Sequence, residues 1–179
     1  MKHIFLLAFI FILFSCKKEN KKETTPEVST ETVKEEQGNF ELAVNGIIEM
    51  DDTFRLYYLL GEEKEITKEN SISLDIMGST DPQTMLFKLP IDELPTRLII
   101  KYGNESKSQK IQFENILISF EGSELSIKGD RFIQFFSPNE FITYDRENAI
   151  ATSTAINGDY KPTFYSRAVL EQKIDAVFY

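Results

Sequence analysis

From Phe40 onward the chain is written in short apolar runs interrupted by Gly, Asn, Asp and Pro, with no long helical period until its last residues. Nine stretches have strand-like length and carry β-branched or aromatic residues: 40–48, 53–60, 71–77, 84–89, 96–102, 110–120, 124–129, 140–145 and 149–156. In SISLDIM, Ile72, Leu74 and Ile76 alternate with Ser71, Ser73 and Asp75, which gives a strand one buried and one wet face. Many short strands at close spacing predict an all-β protein, a β-sandwich or jelly roll of eight to nine strands. Helical turns are expected at 130–136, and a C-terminal helix over 168–178. In 110–120, Ile111 and Phe113 share one parity while Ile116, Ile118 and Phe120 share the other, so a bulge or a bend that resets the register is predicted at Glu114-Asn115. Gly103-Asn104, Gly122-Ser123 and Asn157-Gly158 read as turns.

Upstream of this region the composition changes twice. Residues 17–39, KKENKKETTPEVSTETVKEEQGN, hold no aromatic side chain and only two larger aliphatics, Val28 and Val33. Such a segment buries too little surface to offset its ordering entropy, and it is expected to act as a solvated tether. Ahead of it, Ile4 to Phe14 is an unbroken apolar run of eleven residues. As a helix it would reach roughly 16 Å, against about 30 Å of bilayer hydrocarbon, so it is too short to span. It has instead the layout of a secretory signal, with Lys2 as the basic end and Ser15 as the small residue before processing.

Leu13-Phe14-Ser15-Cys16 resembles the lipobox of bacterial lipoproteins. The resemblance implies cleavage before Cys16, acylation of its thiol and anchoring in the bacterial cell envelope, most naturally the outer membrane, through several acyl chains. An ordinary secreted protein with an incidental cysteine is the alternative. Lys17-Lys18-Glu19 resembles the charged export signals of surface-displayed lipoproteins in the Bacteroidota, and lysine-glutamate runs are equally common in tethers. The expected organisation is a signal peptide over 1–15, a lipid-anchored tether over 16–39 and one domain over 40–179.

Charge and composition narrow the chemistry. A net charge of −9, with 29 acidic against 20 basic side chains, repels phosphate backbones, so no nucleic-acid partner is expected. The sole histidine, His3, lies in the segment expected to be cut away. Histidine-dependent triads and histidine-ligated metals would then be excluded from the exported chain, and no glycine-rich phosphate loop occurs, so no cofactor is expected. What remains open is carboxylate chemistry, either glycoside hydrolysis or an all-oxygen calcium site. Asp51-Asp52, Glu62-Glu63 and Asp130 are the acids available for it, and a solvated surface cluster is the plainer interpretation.

Binding without catalysis is the class the aromatics favour, since β-sandwich modules stack sugars on aromatic faces and bond their hydroxyls with polar groups. Tyr57, Tyr58, Tyr102, Tyr144, Tyr160, Phe164 and Tyr165 are the candidates. Phe54, Leu56, Tyr58 and Leu60 form the apolar parity of their strand, which puts Tyr57 beside Arg55 on the other face. Arg55, Tyr57, Tyr102 and Asn104 are the expected ligand contacts; the alternative is that this second face is covered by a loop or by the C-terminal tail.

The stretch LPTRLIIKYGNESKSQKIQFENILISF (94–120) resembles a strand-turn-strand segment of carbohydrate-binding-module-like jelly rolls, with Arg97, Leu98, Ile100, Gly103, Asn104, Ile111, Ile116 and Ile118 in the matching positions. The resemblance implies a jelly-roll sandwich and carries over no binding residue; Lys101-Tyr102 stands where many such modules have Asp-Pro. The expected function is non-catalytic binding of a glycan or glycan-bearing partner. A protein-interaction or scaffolding subunit of an envelope complex is the second possibility, and a carboxylate-based glycoside hydrolase the third.

Overall fold

A computed structural model describes residues 38–103 and 108–179 of the chain. The predicted signal segment, Cys16, the tether up to Gln37, and Asn104 lie outside the described residues. Eleven strands and two helices follow in order: β1 (Asn39–Ile48), β2 (Asp52–Leu60), β3 (Ser71–Ile76), β4 (Gln83–Ile91), β5 (Pro95–Lys101), β6 (Ser108–Phe120), β7 (Ser123–Lys128), α1 (Phe132–Phe135), β8 (Phe136–Pro138), β9 (Ile142–Asp145), β10 (Ile150–Thr154), β11 (Thr163–Ser166) and α2 (Ala168–Phe178). A 3-10 turn, Gly129–Arg131, leads into α1.

The strands form two wholly antiparallel sheets packed as a sandwich. The first sheet has the order β4-β1-β6-β10-β9, with β7 also on β6; the second has the order β3-β2-β5-β11-β8. Among sequential strands only β2–β3, β6–β7 and β9–β10 are paired as hairpins, so the chain repeatedly crosses from one sheet to the other. The count is eleven described strands rather than the eight to nine expected. The two additions, β8 and β11, are three and four residues long and carry or follow a proline. They become strands by pairing with each other and with β5, a non-local contact that short segments do not announce.

Alternation on both sheets supplies one core. Phe40, Leu42 and Val44 of β1 face Phe54, Leu56 and Tyr58 of β2 and Leu98 and Ile100 of β5, all nearly inaccessible. Phe132 stacks on Phe113 at 4.2 Å and on Phe136 at 4.7 Å, and meets Phe164 edge-on at 4.9 Å. Such offset and T-shaped pairs contribute beyond their buried area. At the other end α2 packs by Leu170 and Ile174, and Phe178 meets Phe40 and Phe120 edge-on.

The bulge expected at Glu114-Asn115 is present: Gly46 pairs with Phe113 and Asn45 with Asn115, leaving Glu114 as the extra residue. There β6 also changes partner on its other flank. Ser108 to Gln112 pair with β10, and Asn115 to Phe120 with β7. The hairpin turn between β6 and β7 uses Glu121 and Gly122, both at positive φ, as a tight turn matching strand twist requires.

Candidate functional site

The site lies on the outward face of the second sheet, and strand register builds it. Arg55 of β2 stands opposite Ser73 of β3 and Lys101 of β5, and Lys101 stands opposite Thr163 of β11. One pleat along, Tyr57 stands opposite Ser71 and Ile99, and Ile99 opposite Tyr165. Directly opposed residues hold their Cβ atoms about 5 Å apart, so each row is a set of touching side chains. Ile99 is only 3 % exposed on a solvent-facing row because a tyrosine flanks it on either side, while Tyr165 keeps 41 % of its surface open.

A concavity of about 470 Å³ opens over these rows, within the size range of small-ligand sites. Thr53, Arg55, Tyr57, Lys101, Thr163 and Tyr165 line it from the sheet, Asn139, Glu140 and Phe141 from the β8–β9 connection, and Tyr160, Lys161 and Pro162 from the approach to β11. Tyr102 and Gly103 complete it.

The wall containing Tyr160 is fixed by Gly103 and Asp52. Gly103 has φ of 96°, and a Cβ there would fall 2.4 Å from the Tyr160 ring, so only glycine lets the ring rest against the backbone. Gly103 N donates to both carboxylate oxygens of buried Asp52 at 3.0 Å. The Tyr160 hydroxyl is hydrogen-bonded to Ser153 Oγ at 2.6 Å. Burial raises the pKa of the Tyr160 phenol; the Ser153 hydrogen bond opposes this and the Asp52 charge adds to it.

Two cations converge on Tyr57. Lys101 Nζ sits 5.0 Å from the ring centroid and the Arg55 guanidinium carbon 5.9 Å, distances at which the ring face attracts positive charge. Arg55 Nε donates to Ser73 Oγ at 2.7 Å, and one terminal nitrogen donates to the Tyr57 hydroxyl at 3.4 Å. The ion pairs among the described residues are Glu41–Lys88, Arg97–Glu171, Glu49–Lys110 and Asp159–Lys161, so neither Arg55 nor Lys101 has one.

Arg55 and Tyr57 therefore share the outer face as expected, and both line the concavity. Tyr102 is brought to the same place but offers no open stacking face. It is 5 % exposed, has the inward parity of Leu98 and Ile100, and stacks on Phe54 at 5.1 Å and Phe164 at 6.3 Å. Asn104 lies outside the described residues. Of the other aromatic candidates, Tyr58 and Phe164 are core, and Tyr144 stacks on Phe113 and Phe132 and donates to Gly129 O at 2.7 Å.

The acids expected on a solvated surface divide. Asp52 is buried and pins Gly103 and Thr53 N, Asp51 accepts from Gly78 N at 2.7 Å, and Glu63 accepts from Leu60 N and Asn70 Nδ2 within its own loop. The cations Lys101 and Lys161 and the placement of Tyr57 and Tyr165 on either side of Ile99 were not foreseen. The alternation in TRLIIKY does put Lys101 opposite in parity to Leu98 and Ile100, but the run Leu98-Ile99-Ile100 masks it.

Comparisons with protein-family models, with curated proteins and with solved structures find no match.

Proposed function

We propose that this chain is an envelope lipoprotein, acylated at Cys16, whose sandwich binds a glycan or a glycan-bearing partner without transforming it. The observation that carries this is the concavity of about 470 Å³ with Tyr57 and Tyr165 on either side of Ile99, bordered by groups that can donate to sugar hydroxyls. A pyranose has an apolar face and a polar rim, and this surface offers the complement of both. Hydrolysis would call for two carboxyls about 5 to 10 Å apart, and Glu140 is the one carboxylate among the described residues lining the concavity. The scaffolding alternative would favour a broad apolar face. The outer face of the first sheet instead carries a ladder of Thr84, Asn45 and Asn115 and the pairs Glu41–Lys88 and Glu49–Lys110.

Residues 35–179 form one compact unit containing the whole core, and this piece suits a glycan array. Binding is expected to fall about tenfold or more on Tyr57→Ala and on Tyr165→Ala, the loss of stacked aromatic area. An array blank for the parent protein would sink the glycan assignment. The anchor is tested separately in the full chain: a fatty-acid label should enter the protein in a lipoprotein-processing host and be lost on Cys16→Ser.

Among the described residues no helix is long and apolar enough to cross a membrane.

A further inference from the structure

Arg55 and Lys101 face one another directly across β2 and β5. Like charges in that position destabilise a sheet, and a chain with 29 acidic residues has ample means to neutralise them. Yet the ion pairs among the described residues leave both without a carboxylate. The guanidinium is nevertheless held in place, by Ser73 Oγ on Nε and by the Tyr57 hydroxyl on one terminal nitrogen. Its remaining terminal nitrogen has no hydrogen-bond partner among the described residues and keeps donors for a third group. Lys101 lies over the same ring, so the two cations border one concavity and are both half-buried.

We infer that the ligand of this site is an acidic glycan, whose carboxylate or sulfate group bridges Arg55 and Lys101 while its sugar ring lies against Tyr165 and Tyr57. The inference rests on the glycan assignment of the same face. A bridging anion turns the unfavourable Arg55–Lys101 contact into two charge-assisted hydrogen-bonded pairs, each stronger than its neutral counterpart. It also accounts for a locally positive hollow on a protein of net charge −9, a hollow that would draw anions selectively.

The test is titration calorimetry of residues 35–179 with a panel of neutral, uronate-containing and sulfated oligosaccharides of matched length, and with polyglutamate. Acidic sugars should bind about tenfold or more tightly than neutral ones, more weakly as salt is raised. Comparison of the uronate and sulfate arms identifies the anion. Arg55→Gln and Lys101→Gln should each remove most of that preference, lowering affinity for acidic sugars by a larger factor than affinity for neutral ones. Neither should lower the thermal midpoint, since each relieves a like-charge contact, and Lys110→Gln, which breaks the pair with Glu49, should leave binding unchanged. Equal affinity for acidic and neutral sugars would overturn the inference while leaving the glycan assignment standing. Polyglutamate binding as tightly as the acidic sugars would overturn it as plain polyanion attraction, and a panel blank throughout would remove both.

Discussion

Gly129 follows β7 where the chain turns off β6, and a Cβ there would lie 2.0 Å from the carbonyl oxygen of Phe113 and 3.1 Å from the Ala149 side chain. Backbone cannot give way as a long side chain can. Gly129→Ala is therefore expected to cost about 2 to 3 kcal/mol in urea unfolding, the upper part of the range for single substitutions, whereas Gly61→Ala meets no atom within 4 Å and is strained only by its φ of 52°. A second residue-scale consequence concerns high pH. Burial holds the phenols of Tyr102 and Tyr144 well above the ordinary value of 10.0. A raised folded pKa means that the native state retains these protons after the unfolded chain has begun to lose them. Their contribution is thus fully present below about pH 10 and declines as pH rises beyond it, for Tyr102 by up to about 1.4 kcal/mol per pH unit. Denaturant unfolding across the alkaline range should show that decline, and Tyr102→Phe should reduce its slope by one proton. At this scale the shared face of Arg55 and Tyr57 was legible, because its parity follows from the alternating Phe54, Leu56, Tyr58 and Leu60. The burial of Tyr102 was legible in principle from the same parity as Leu98 and Ile100. What hid Asp52 was its adjacency to Asp51: two neighbouring acids read as a wet turn, but one of them faces inward to hold Gly103.

Among the elements, β6 shows how a local pattern can encode a distortion. The switch of apolar parity between Phe113 and Ile116 predicts an extra residue, and the bulge falls at Glu114. Deleting Glu114 would put Ile111, Phe113, Ile116, Ile118 and Phe120 on one parity, so β6 could pair with β1 without a bulge and keep all five inward. Cooperative unfolding by circular dichroism is expected to survive the deletion, and its loss would show that the bulge does more than reconcile the two parities. The helix α2 is amphipathic in a way that ranks its residues. Leu170 is fully buried and Val177 is 39 % exposed, so Leu170→Ala should cost about 2 to 5 kcal/mol and Val177→Ala under about 0.5, both read by chemical denaturation. Helix α2 was legible at its observed bounds, whereas β8 and β11 were not. A three-residue Phe-Ser-Pro segment has no period to detect, and Thr163–Ser166 acquires its extended form only from hydrogen-bonding partners in β5 and β8. Tyr165 sits on β11, so its place beside Tyr57 was hidden for the same reason.

On the scale of the molecule, alternation of apolar residues was enough to announce a sandwich, because two half-buried sheets are the simplest way to bury nine such faces together. It could not say which strands would be neighbours. Strand order depends on contacts between distant segments, and the apposition of Arg55 and Lys101 exists only because β2 and β5 are adjacent in the second sheet. The handover on β6 has a further meaning for motion. β7 and β10 share one flank of β6, each bonded to a different half, while β1 spans both halves on the opposite flank. On the β10 side of the junction the ladder ends with the Phe113 N to Ala149 O hydrogen bond of 2.9 Å. The sheet thus contains a seam, and on either side of it local opening can proceed without the other. Native-state hydrogen exchange should resolve two groups of amides, those of the β10 half and those of the β7 half, with different opening free energies. The β1 amides bonded to β6 should exchange last, and a single opening energy across both halves would mean that the seam is closed. The hollow between Tyr57 and Tyr165 lies on the other sheet, so breathing along this line would leave its two rows of side chains in register.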